Sequence, residues 1–217
     1  MTTNERIEAV QKSLTWSLQV DEAEVPCAEI SSSERLRSHT IRIPNRPFGK
    51  LDFLHELGHA WLCENVHPLF STCHFVPGTS RHARDIALEP IRHAADWFVE
   101  GWLRQFGRVA ADRRAEVKQW GEEFWRLVQE HEDRYAAMIH TAYCRAILIH
   151  YRDMQVESSG SLKPLTDVFL ACPPSPPQFE NFQALINALL AVPHPGYSVL
   201  RVREGDISAW LITSPGG

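Results

Sequence analysis

Five consecutive residues, His55-Glu56-Leu57-Gly58-His59, combine two imidazoles and a carboxylate at a spacing that suits a metal ion. Four residues span about 400° of α-helix, so the two histidines would lie about 40° apart on one face and could bind one zinc together. Glu56, beside the first histidine, would reach water rather than metal. Zinc lowers the pKa of a water it activates to roughly 7, so Glu56 could accept the proton and deliver it to a leaving amine. The chemistry this pattern predicts is metal-assisted hydrolysis of a peptide bond.

Such a motif needs a helix to carry it and a core to hold that helix. A helix fits Phe48–Glu64, with Leu51, Leu54, Leu57, Trp61 and Leu62 available for burial. Gly58 costs about 1 kcal/mol in a helix interior, which implies a packing or close-approach reason for it. Before the helix, His39, Ile41 and Ile43 alternate with Thr40 and Arg42 in a β-like run over Leu36–Ile43, which Asn45-Arg46-Pro47 ends. A second β-like run covers Glu24–Ile30. Helical spacing covers Asn4–Leu18, with Thr3 or Asn4 as N-cap.

After the motif, Pro68, Pro77 and Gly78 make Asn65–Ser80 a loop, and helical pattern resumes near Arg84. Pro90 suits the first turn of a fresh helix through Phe106. Ala110–Tyr151 reads as one long helix or two. Linker-like runs at Ser158–Ser161 and Pro173–Pro177 flank a short segment at Leu165–Ala171. A helix at Phe179–Ala191 and a hairpin of Tyr197–Val202 with Ile207–Thr213 complete the chain. The fold class is α+β, mostly helical. Two regions are expected: a domain over 1–155 and a C-terminal extension over 156–217, packed on the same core.

Composition narrows the function. The chain has 217 residues, 44% of them hydrophobic, enough to bury a real core. Its net charge of −5 offers no global basic field for a nucleic-acid backbone. The most apolar stretches are interrupted by His140, Arg145, Asn181 and Asn187, so no membrane span is expected. The polar N-terminus predicts no signal peptide. Five scattered cysteines without a CxxC pair fit a reducing cytoplasm better than a disulfide framework.

The run Ser38–Ile43, the proline turn and Phe53-Leu54-His55-Glu56-Leu57-Gly58-His59-Ala60-Trp61-Leu62 together resemble the ImmA/IrrE-type metallopeptidase family. Ala95-Asp96-Trp97-Phe98-Val99 is similar to that family's second helix, typically E-x-x-A-N-x-F-A. The resemblance covers roughly residues 36–106. It implies a zincin-like core, a small sheet followed by the motif helix, to which the C-terminal helices and terminal β-hairpin read above are additional. It also implies a Zn2+ cofactor, a protein or peptide substrate and a setting in regulatory proteolysis.

The family's third ligand is a glutamate, and the matching position here is Arg92, which has no lone pair to offer zinc. His93 and Glu89 are the nearest alternatives: His93 would give a three-histidine site, Glu89 a two-histidine and carboxylate site. Asp96, three residues after His93, could orient it or be a solvated acid. Cys63, four residues after His59, is a thiolate ligand or, more ordinarily, a small buried hydrophobe. His67, Cys73, His74 and His82 match no structural zinc module and read as loop residues. Tyr135, His140 and Tyr143 are candidates for stabilising an oxyanion. A second class of function also fits Arg92: a regulatory or interaction protein that keeps a zinc-peptidase scaffold without turnover.

Overall fold

A computed structural model describes residues 2–107, 113, 117–119, 134–150 and 160–215. The chain is α+β and mostly helical, and it divides into two compact units. The first comprises residues 1–77 and 201–211, the second residues 78–200 and 212–217. The expected boundary at 155/156 lies outside the described residues, as do Trp120, Trp125 and His131.

The first unit opens with helix α1, Thr3–Ser13. Its N-cap is Thr2, one residue before the expected position, because Thr2 and Glu5 form a reciprocal capping box. The helix stops at Ser13, short of Leu18, where Leu14 turns extended and strand β1, Ser17–Ala23, begins. Strands β2, Glu29–Ser33, and β3, Ser38–Pro44, complete a mixed sheet in the order β1-β3-β2. The central strand β3 runs parallel to β1 and antiparallel to β2. Its alternation buries His39 and Ile41 completely. Helix α2, Lys50–Asn65, carries the motif and buries Leu54, Leu57, Gly58 and Leu62. A 3-10 turn at Pro68–Phe70 follows.

The second unit is built on helix α3, Arg81–Leu103. It runs unbroken through Pro90, which corrects the expectation of a fresh helix there. Proline removes one intrahelical hydrogen bond and crowds the preceding turn, but Pro90 and its neighbours Ile86, Ala87 and Ile91 are all buried, and that packing outweighs the local cost. Helix α3 packs on α4, Arg134–His150, and on α6, Phe179–Ala191, while α5, Lys163–Ala171, lies against α4. Aromatic pairs join these helices: Phe98 with Phe182, Trp97 with Phe169, and Tyr143 with Phe169.

Gly101 explains how close the Pro173–Pro177 segment comes to α3. A Cβ at this position would stand 2.6 Å from Pro174 Cβ and 2.7 Å from the Pro174 carbonyl oxygen. Alanine gains up to about 1 kcal/mol of helix propensity, but the clash with backbone should exceed it. Gly101→Ala is expected to destabilise by about 1–3 kcal/mol net. An unchanged denaturation midpoint in urea would refute this packing.

Strands β4, Ser198–Glu204, and β5, Ile207–Thr213, form the two-stranded sheet expected at the end of the chain. Gly205 turns them with φ 58°, a left-handed conformation glycine takes without a Cβ penalty. Within the first unit, Trp210 N donates to the His74 carbonyl at 2.7 Å and Val76 N donates to the Trp210 carbonyl at 3.0 Å. Glu34 accepts from Ser208 N and from Arg203, both at 2.7 Å, and these partners hold its carboxyl below the usual carboxylate range despite partial burial. Among the described residues, no helix is long and apolar enough to cross a membrane.

Candidate metal centre

Helix α2 brings His55 and His59 together as the four-residue spacing requires. Their ring centroids are 5.0 Å apart at 74°, and both residues are buried, at 6% and 8% exposure. Glu56 lies on the same helix and is half-buried. His59 is oriented from behind: its Nδ1 lies 3.1 Å from the Phe70 carbonyl oxygen. A carbonyl only accepts, so Nδ1 carries the hydrogen and, in the neutral ring, Nε2 carries the lone pair. Metal-binding histidines are typically fixed in this way, by donating the other ring N–H to a carbonyl or carboxylate.

The turn that supplies this carbonyl has its own supports. His67 Nδ1 accepts from Leu69 N at 3.2 Å, and Ser71 N and Thr72 N both donate to the Pro68 carbonyl at 3.1 Å. His67 is therefore a capping residue of the 3-10 turn. Cys63 is buried at 1% exposure, and desolvation pushes its thiol up to about 12, so it stays protonated. Cys73, His74 and His82 are exposed.

His93 sits on α3 among aromatic rings of its own unit. Its Nδ1 donates to the Glu89 carbonyl at 2.9 Å, and its Nε2 lies 3.1 Å from His140 Nδ1. Tyr143 closes the cluster with its ring centroid 5.7 Å from that of His93. Both nitrogens of His93 are thus engaged by protein groups. Burial, with His93 adjacent, pushes His140 down to about 4 and keeps it neutral. Tyr135 and Tyr143 are pushed well above the ordinary phenol value, chiefly by desolvation. Glu89 is bonded through Oε1 to the exposed Arg92 at 3.4 Å, and its Oε2 lies 3.5 Å from His93 Nδ1.

His55 and His59 are two nitrogen donors of a kind zinc accepts, held on one face of one helix, so this pair fits the ion. Asp96 stands half-buried on α3, in the second unit, four residues after Arg92 and so one turn along nearly the same face.

The remaining described histidines have other surroundings. His39 belongs to a buried network in the first unit, His150 faces Arg104 and Trp97, and His194 faces Tyr135 and Tyr197. No known protein family, curated protein or solved structure matches this chain.

Proposed function

We propose that this protein is a zinc-dependent hydrolase that cleaves peptide bonds, with His55 and His59 holding the metal and Glu56 as general base. The observation that carries the reading is the buried imidazole pair itself, His55 and His59 with ring centroids 5.0 Å apart on one face of α2. The hydrogen bond from His59 Nδ1 to the Phe70 carbonyl supports it, because it points the lone pair of that ring away from the protein backbone.

Zinc, when bound, would acidify a water and polarise the substrate carbonyl. Glu56 then accepts the proton of the attacking water and delivers it to the leaving nitrogen. Half-burial suits that role, because the carboxylate stays within reach of water while its helix is anchored in the core. The mixed sheet followed by the motif helix agrees with a zincin-like core and with the resemblance to the ImmA/IrrE-type family. On that basis the substrate is a protein or peptide and the setting is regulatory proteolysis. The setting is a reducing cytoplasm, on the scatter of five cysteines with no CxxC pair among them.

The decisive test pairs metal content with turnover. Purified protein should contain about one zinc per chain, and it should cleave members of a mixed peptide library read by mass spectrometry. Cleavage should cease with 1,10-phenanthroline and return when zinc is restored. Protein that takes up no zinc at micromolar concentration would overturn the reading.

A further inference from the structure

We propose that a buried relay, Ser71–Ser32–His39–Glu64, is a positioning device that fixes the tautomer of His59 and thereby tunes metal affinity. The inference rests on the zinc reading for its consequence, but its geometry stands within the first unit alone.

Glu64, near the end of α2, is the anchor. Its Oε2 accepts from Thr15 N at 2.6 Å and Thr15 Oγ1 at 2.5 Å, and its Oε1 accepts from Trp16 N at 3.0 Å and His39 Nε2 at 3.1 Å. These donors outweigh partial desolvation and hold the carboxyl below its ordinary range, so Glu64 is ionised and can only accept. His39 Nε2 must therefore carry a hydrogen. Burial lowers the pKa of His39, whose ring is fully enclosed and stacked on Trp16 with centroids 5.1 Å apart. In the neutral ring Nδ1 is then an acceptor.

The direction of the relay follows from this. Ser32 is the cross-strand partner of His39, and its Oγ lies 2.6 Å from His39 Nδ1. Its hydroxyl hydrogen points to that nitrogen, so its oxygen must accept from its other neighbours. Those are the Ser71 hydroxyl at 2.6 Å and the protonated Cys63 thiol. Ser71 consequently donates to Ser32. This fixes Ser71 on one side of the peptide plane whose other side is the Phe70 carbonyl, the acceptor for His59 Nδ1. Ser71 N donates to the Pro68 carbonyl at 3.1 Å and pins the same plane.

A serine, histidine and glutamate in sequence also resemble a nucleophilic relay. Here, however, His39 has no exposed surface, so no leaving group could reach it to recover a proton. Orientation of the carbonyl is the role the enclosure allows.

Long-range 1H–15N NMR of the histidine rings in metal-free protein, with zinc affinity from competition against a chromophoric chelator, tests the relay. Wild type should show His59 as the Nδ1–H tautomer. Ser71→Ala should mix the tautomers and weaken zinc binding by about tenfold, the low end for a partner acting through a ligand. Ser32→Ala should do the same, and the double variant should be no worse than either single. Ser71→Thr, which keeps a hydroxyl, should restore both readings. A folded Ser71→Ala or Ser32→Ala protein with the wild-type His59 tautomer would overturn the proposal. If wild type binds no zinc, the functional reading falls, while the tautomer in metal-free protein still decides the relay.

Discussion

Replacing Glu56 with glutamine should slow peptide cleavage by about 10²–10⁴-fold while leaving zinc bound, the range expected for loss of a positioned general base. Glutamine preserves the size and hydrogen bonding of the side chain but cannot take up a proton near neutral pH. On α2, Glu56 lies about 100° from His55 and about 60° from His59, on the motif's side of the helix but off the line joining the two ligands. That offset explains why the substitution should separate chemistry from metal binding. Steady-state cleavage rates and zinc content, measured on the same preparation, check it. Retained cleavage would sink the assigned mechanism. Wild-type protein that binds zinc but cleaves nothing would favour an interaction protein on a zinc-peptidase scaffold.

The second large effect concerns the ligands themselves. His59→Ala should weaken zinc binding by more than about 100-fold, beyond the 10–100-fold range of groups that act through a ligand. His93→Ala and Glu89→Ala should each change affinity by less than about tenfold. His93→Ala should instead cost stability, by about 1–3 kcal/mol, because it removes a buried ring that bonds the Glu89 carbonyl and His140 and packs against Tyr143. Chelator competition and urea denaturation on the three variants separate the outcomes. Unaltered affinity in His59→Ala would remove it from the ligand set.

Much of the site was readable because its information is local. The pair His55 and His59 needs only one helix, and the apolar residues around it name that helix. The strand carrying His39 and Ile41 was legible for a similar reason, since those two alternate residues are completely buried on one face. Strand β1 was not, because Leu18, Gln19, Val20, Asp21 and Glu22 bury no face. It is held by its parallel ladder to β3, which leaves no hydropathy pattern. Helix α3 escaped for the opposite reason: Pro90 gives a strong local stop signal, overridden by burial that only the tertiary fold creates. The acceptor that orients His59 was hidden, because the Phe70 carbonyl comes from a turn eleven residues later and leaves no side-chain signature.

The first unit is assembled from two separated stretches of chain, 1–77 and 201–211. Translation therefore delivers the motif helix long before the residues that complete its unit. Until Trp210 emerges, the backbone groups of His74 and Val76 lack their partners, and Glu34 lacks Arg203 and the Ser208 amide. N-terminal segments usually begin folding during synthesis, but here the last such contacts can close only after the ribosome has made the whole intervening second-unit segment and passed Trp210. Maturation of the unit that carries the motif helix is thereby tied to a strand made much later than the helix itself.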